Sequence, residues 1–333
     1  MKKTVFLLAA VLCGALTIGA TACGNTEGKY TVYAPDGAPA LALAYAISQK
    51  DDRFDYRIVD SALIHVQVTG RNPQADFCIL PVNLASKLLG NGDNYQMLGT
   101  VTNGNLYFLA TQEQPTITSE NIESSLIGKT VGVVQLPNVP GLTLQAVLGD
   151  HNIPYKIING IQSEKDESAV NLLAVDAANV TPVYGCDYYL CPEPAATTKI
   201  NKTNFERAGD LQELYQAGTG YPQAVLVAKK SVIEGDRAAV KQMISYMNES
   251  RTYLTTVQPS TVLSLLDPVR TEGLTPSFDA NNLTDEVIAN CSVAFTPAEQ
   301  AKQNVDLFLE KLIAVNASSA STVLEAFYYT DTQ

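Results

Sequence analysis

Residues 30–47, YTVYAPDGAPALALAYAI, decide the fold class. A short apolar strand is broken by Pro35-Asp36-Gly37, and Pro39 then opens an alanine- and leucine-rich helix running to about residue 49. Strand, tight loop and helix make the unit from which α/β sheets are built. The unit recurs along the chain. Residues 56–59 form a second strand. Residues 75–80 form a third, closed by Pro81 and followed by a helix over 83–89. Residues 96–101 and 106–111 read as further strands. From residue 116 the pattern restarts, with a short helix ending near Gly128, a β-branched strand over 130–135, a loop over 135–141 and a helix from about 142 to 148. Strand candidates at 154–158, 170–175 and 187–191 continue it. Residues 223–229 read as one more strand, after which the chain is mostly helical. Val240, Met243, Ile244, Met247 and Leu254 recur at helical spacing, as do Val305, Phe308, Leu309, Leu312 and Ile313. The expectation is a two-lobed α/β protein, each lobe a mainly parallel sheet flanked by helices. Lobe 1 is discontinuous, over 30–111 and 196–333, and lobe 2 covers 112–195.

The chain has 333 residues, which suits two domains, and 46% hydrophobic content with 17% charged residues is enough to build a sizeable core. Lys plus Arg number 22 against 34 Asp plus Glu, a net charge of −12. That balance excludes nucleic acid and an electrostatic grip on anionic lipid as partners, because both need a cationic surface. Only His65 and His151 are histidines, which leaves little for histidine-based metal or triad chemistry.

Met1-Lys2-Lys3 followed by an apolar run to Ile18 and small residues up to Ala22 is laid out as a secretory signal peptide over 1–22. Ala20-Thr21-Ala22-Cys23 resembles a bacterial lipobox, which makes Cys23 the lipid attachment site and the first mature residue. Residues 23–29 then read as a short tether. The mature chain is expected to be exported and lipid-anchored on the outer face of the cytoplasmic membrane. Export permits disulfides, but Cys186 and Cys191 bracket a strand at ~3.3 Å per residue, which sets them too far apart to bridge. Buried free thiols are the expectation for Cys78, Cys186, Cys191 and Cys291. No CxxC or neighbouring histidine supports a metal site, and no cofactor is called for.

Several stretches carry a resemblance when taken in order: YTVYAPDGAPALALAYAI, ADFCILPVNLASKL, GKTVGVVQLPNVPGLTLQAVL, CDYYLCPEPAATT, GYPQAVLVAKKSVIE and FTPAEQAKQNVDLFLEKL. The chain resembles substrate-binding lipoproteins of ABC importers with the type II periplasmic-binding fold, in the branch that binds nitrate, sulfonates, taurine and thiamine pyrimidines. The resemblance implies a monomeric receptor that closes on a small polar or anionic organic solute and delivers it to a permease with its ATPase. In open α/β sheets ligands sit beyond the carboxyl ends of strands, so the candidate contacts lie on strand-to-helix loops. These are Asp36, Gly37 and Ala38 after the first strand, Pro81 and Asn83 after the third, and Asn138 and Gly141 after the first strand of lobe 2. Helix-start N–H groups there suit polar or anionic oxygens, although Asn83 also reads as a simple helix cap. Asn103 and Asn105 precede the crossing strand, Tyr188 and Tyr221 are the aromatic candidates, and Glu193-Pro194 matches the family's Glu-Pro at the return crossing. Hinges are expected near Thr111 and Pro194. The alternatives are an exported enzyme on the same fold and a surface receptor without transport. No GxSxG, HExxH or phosphate-gripping GKS/T loop is present to support an enzyme.

Overall fold

In the computed structural model the described residues are 28–161, 164–215 and 220–331. The expected signal peptide over 1–22 and Cys23 lie outside them. Twelve strands follow in chain order: β1 Tyr30–Pro35, β2 Phe54–Val59, β3 Phe77–Pro81, β4 Tyr95–Thr102, β5 Leu106–Ala110, β6 Thr130–Val134, β7 Tyr155–Ile158, β8 Val170–Val175, β9 Tyr188–Pro192, β10 Glu206–Asp210, β11 Ala224–Lys229 and β12 Val293–Pro297. They form two six-stranded sheets, ordered β12-β4-β11-β3-β1-β2 and β10-β5-β9-β6-β8-β7.

Both sheets are mixed rather than mainly parallel, and the reason is the way the chain changes lobes. β1 runs parallel to β2 and β3, and β6 runs parallel to β8 and β9. β5 and β11 each enter a sheet directly from the other lobe. They therefore start where the parallel strands end, and they run antiparallel to β9 and β3. Leu106 at the start of β5 pairs with Pro192 at the end of β9, and Ala224 at the start of β11 pairs with Pro81 at the end of β3. The crossings thus lie between Thr102 and Leu106 and between Tyr215 and Ala224, not at 111 and 195. The strand at 106–110 and the stretch Glu206–Tyr215 belong to the second lobe.

Three apolar clusters fill the layers. One is continuous through both lobes and includes Tyr33, Leu80, Phe108, Val133, Tyr221 and Phe308. The other two cover the opposite faces of the first and second sheets, respectively. The helix Ala298–Val315 enters the shared cluster through Ala301, Val305, Phe308, Leu309 and Leu312, at the 3–4 residue spacing of one helical face. The helix Val139–Asp150 is buried at every position from Gly141 to Leu148, as its apolar sequence requires. Lys311 on the first helix pairs with Asp150 on the second at 2.5 Å, so the lobes touch here as well as at the crossings.

The helix Arg237–Leu254 covers the far face of the first sheet. It is capped by Asp236, whose side chain accepts from the Ala239 N–H at 3.0 Å. Tyr246 on this helix donates to Asp51 at 2.9 Å, and Arg53 donates to both oxygens of the same carboxylate. The Arg53 hydrogen bonds hold Asp51 down at about 2. A depressed folded value means that Asp51 contributes stability above the ordinary unfolded carboxylate range, and that this contribution is lost as pH falls from about 4 to about 2. Urea titrations of the wild type and Asp51→Asn should therefore differ at pH 6 and converge below about pH 2. A constant gap across that range would remove Asp51 as the titrating group.

Candidate functional site

The carboxyl ends of the parallel strands of both lobes meet at the crossings, and a row of hydrogen bonds joins them there. The Val82 N–H, after β3, donates to the Gln223 carbonyl at 3.0 Å. Gln223 Nε2 donates to Asn105 Oδ1 at 2.9 Å, and Asn105 Nδ2 donates to the Glu193 carbonyl at 3.3 Å. The Glu193 N–H returns a bond to the Asn105 carbonyl at 3.0 Å. The row runs from the end of β3 through both crossings to the end of β9 and forms a polar floor between the lobes. Thr102 Oγ1, Gln223 Oε1 and Tyr221 Oη beside it are buried without a hydrogen-bond partner.

The residues singled out from sequence are distributed unevenly around this floor. Pro81 and Glu193 end the two strands that frame it. Asn103 sits at the first crossing, where its N–H donates to Ser292 O and its carbonyl accepts from the Tyr221 N–H. Asn138 is exposed at the start of the helix Val139–Asp150, with a side chain that makes no capping bond. The Asn83 side chain is turned away, donating to Ser319 O at 3.1 Å. Asp36, Gly37 and Ala38 are buried under a segment of their own lobe. The Asp36 carboxylate accepts from the Ser277 N–H at 2.6 Å and lies 3.6 Å from Arg270 Nε. The first-strand loop is therefore a clamp for residues 270–278, in which Asp36 Oδ1 is buried without a hydrogen-bond partner.

Tyr188 and its neighbour Tyr189 point to opposite faces, and both are core residues. The Tyr188 hydroxyl donates to Pro115 O, the Tyr189 hydroxyl donates to Thr181 O, and burial pushes the Tyr188 phenol up to about 12. Neither lines the floor. Tyr221 is buried between the lobes and stacks on Phe308, with ring centroids 5.3 Å apart. Gly141 has no room for a side chain, since a Cβ there would lie 2.0 Å from Leu136 O. Substitution at Gly141 thus tests packing before it tests any ligand contact.

Glu193 is the most heavily bonded of the set. Its side chain has no exposed surface. One oxygen accepts from Thr197 Oγ1 at 2.7 Å, Arg207 at 3.0 Å and Asn290 at 3.0 Å, and the other accepts from the Thr197 N–H at 3.1 Å. It caps the helix Ala195–Lys202 from within, so that helix start already holds its carboxylate. The Glu193–Pro194 peptide bond is cis.

A cavity of about 260 Å³ lies on the β10/β12 side of the crossings, lined among others by Asn103, Asp210, Gln212, Arg251 and Ser292. Burial raises the Asp210 carboxyl above its ordinary value. Burial also pushes the thiols of Cys186 to about 11 and Cys191 to about 12, with Cys78 and Cys291 raised as well. All four cysteines are free, and at neutral pH they are protonated and poor nucleophiles. Among the described residues no cluster of His, Cys, Asp and Glu is arranged to hold a metal ion, and no helix is long and apolar enough to cross a membrane.

The two-lobed architecture recurs in solved structures. A structure described as an ABC transporter from Parabacteroides distasonis superposes with a TM-score of 0.66, over 92% of this chain and 100% of that one, at 16% identity. The ligand-binding component of an ABC-type import system from Staphylococcus aureus, with zinc bound, gives 0.59 over 91% and 97%, at 9% identity. A DszB variant in complex with biphenyl-2-sulfinic acid gives 0.55 over 91% and 97%, at 12% identity. At these identities the likeness is one of fold: the two-lobed α/β periplasmic-binding fold expected from sequence. No protein-family model and no curated protein matches the chain.

Asn105 was a candidate together with Asn103, whereas Thr102 and Gln223 were missed. Asn105 lies in Asn103-Gly104-Asn105, which reads equally as a turn, and Gln223 becomes conspicuous only once the return crossing is placed before β11 rather than near Pro194.

Proposed function

We propose that the protein is an extracytoplasmic solute-binding lipoprotein of an ABC importer. It captures a small polar or anionic organic solute between its lobes and passes it to a membrane permease and its ATPase. The observation that carries this function is the opposition of the two sets of strand ends across two short crossings. Ligands of open α/β sheets bind beyond strand ends, and a pair of crossings is a hinge that can close both edges on one molecule. The protonated, buried thiols give an enzyme reading no nucleophile among the cysteines. Anchoring rests on Cys23, and metabolic lipid labelling that persists in Cys23→Ala would exclude that site.

Native mass spectrometry of the protein as purified is expected to show a small noncovalent adduct, and small-angle scattering should show compaction when that adduct is present. Conversion of the bound compound to a product over many turnovers would instead establish an enzyme. Identical scattering profiles with and without the adduct would replace the hinge with a rigid pocket.

A further inference from the structure

We infer that the cavity on the β10/β12 side of the crossings is a ligand site for a small zwitterion, whose anionic group meets Arg251 and whose ammonium group meets Asp210. The inference goes beyond the receptor function and does not depend on it, because the cavity lies apart from the strand ends. In the first sheet β12 stands on the far side of β4 and β11 from β3, β1 and β2, and in the second β10 stands on the far side of β5 from β9 and β6. The cavity lies between Asp210 at the end of β10 and Val293 at the start of β12. Its inner wall is made by the two crossings, at Asn103 and Gly220. The crossings touch there. The Tyr221 N–H donates to Asn103 O at 3.3 Å, and a Cβ on Gly220 would lie 2.1 Å from the same oxygen.

Both lobes bring charge to this cavity. Arg251 comes from the first lobe, on the helix Arg237–Leu254, and shares one helical face with Leu254 and Thr255, which line the cavity with it. Asp210 and Glu213 come from the second lobe. Among the described residues the Arg251 side chain makes no hydrogen bond and no ion pair. Asp210 Oδ1 holds the start of the helix Leu211–Tyr215, accepting from the Gln212 N–H at 2.7 Å, Gln212 Nε2 at 2.8 Å and the Glu213 N–H at 3.3 Å. Asp210 Oδ2 accepts from none of the described residues. Arg207 acts on Asp210 through space, but its guanidinium is bonded to Glu193 and Glu286. Burial raises the Asp210 carboxyl, so a cation placed beside it restores its ordinary ionisation.

These groups select a ligand that carries both signs. Arg251 and Asp210 line one cavity and form no ion pair with each other, so a gap separates them. A simple anion would meet two carboxylates beside one guanidinium, and a simple cation would meet the unpaired guanidinium. A zwitterion answers both, its anionic oxygens accepting from Arg251 and its ammonium donating to Asp210 Oδ2. Asn103 and Ser292 also line the cavity, and their side chains make no hydrogen bond among the described residues, so they add neutral partners. The volume of about 260 Å³ has room for roughly nine water-sized groups, which limits the ligand to a short amino acid or a molecule of similar size.

The test is calorimetric titration and thermal midpoint of the whole protein with glycine, 4-aminobutyrate and 6-aminohexanoate, alongside butyrate and butylammonium as singly charged probes. At least one amino acid is expected to bind and raise the midpoint, with an affinity about tenfold or more above that of either singly charged probe. Arg251→Gln and Asp210→Asn should each weaken that binding by about tenfold or more. Asp210→Asn keeps one oxygen to hold the helix start. Arg251→Gln alters an exposed side chain, so the midpoint of the free protein is expected to stay in place, and this variant decides the test should Asp210→Asn prove unstable. Silence from all three amino acids overturns the inference, as does binding of butyrate or butylammonium as tight as that of the amino acid. Undiminished binding in Arg251→Gln overturns it too, because the ligand would then sit elsewhere.

Discussion

Replacing Phe308 by alanine is expected to destabilise the protein by about 3–5 kcal/mol. Phe308 has no exposed surface and sits where the lobes share one apolar cluster. Its ring stacks on Tyr221, just before β11, and meets Tyr215 edge-on at 5.7 Å, at the end of the helix Leu211–Tyr215. Lys311, one helical turn on, lies over the outer side of Tyr215, 4.6 Å from its centroid. The alanine variant removes both ring contacts and leaves a void between elements that are themselves held by the crossings, so little collapse is available to fill it. Phe308→Leu keeps most of the volume and loses the ring geometry, so its cost should be nearer 1–2 kcal/mol, of the order of an aromatic pair. Urea unfolding followed by both tyrosine fluorescence and far-ultraviolet circular dichroism checks this. A loss below about 1 kcal/mol in the alanine variant would contradict the packing described. Separation of the two probes' transitions would show that this ring couples the lobes.

The alternation of strand, loop and helix was legible because it is local. Apolar strands, Pro-Asp-Gly and Pro-Asn turns, and helical stripes such as Val305-Phe308-Leu312 are written in neighbouring residues. Sheet membership is not local. Leu106–Ala110 is apolar enough for either sheet, and only its pairing with β9 and β10 places it in the second lobe. β10, with the sequence ERAGD, has no strand-like composition at all; its pairing with β5 makes it a strand. The site divides in the same way. The loops that end strands could be named from sequence, but which side chains remain available could not. The partner of Asp36 is a backbone N–H 241 residues away, and Glu193 is engaged by Arg207 on β10 and by Asn290 of the other lobe. Long-range partners of this kind turned several candidate contacts into structural ones.

Glu193→Ala should therefore act on stability and on the lobe interface rather than on a ligand contact. Four donors lose their acceptor, and the Arg207 guanidinium, whose side chain is 25% exposed, keeps the exposed Glu286, Thr197 Oγ1 at 3.4 Å and the face of Tyr107, 4.1 Å away. Removing one member of a buried pair costs about 3–5 kcal/mol, and the partial exposure of Arg207 puts this case near the lower figure. Asn290 calls for a separate variant because lobe 2 holds it twice. Its side chain donates to Glu193, and its carbonyl, at the end of the helix Asp285–Asn290, accepts from the Tyr107 hydroxyl at 2.9 Å. Asn290→Ala loses only the bond to the carboxylate, for about 1.5–3 kcal/mol, and leaves Glu193 and Arg207 paired. If the two residues act through their shared bond, the double variant Glu193→Ala/Asn290→Ala costs less than the sum of the single variants. Urea denaturation of the four proteins in that cycle gives the coupling, and strict additivity would dismiss the bond between the lobes. Scattering of Asn290→Ala then separates the two roles of the contact. A bond that holds the lobes together gives a larger radius in the ligand-free variant, whereas one that only stabilises the helix Ala195–Lys202 leaves the radius unchanged.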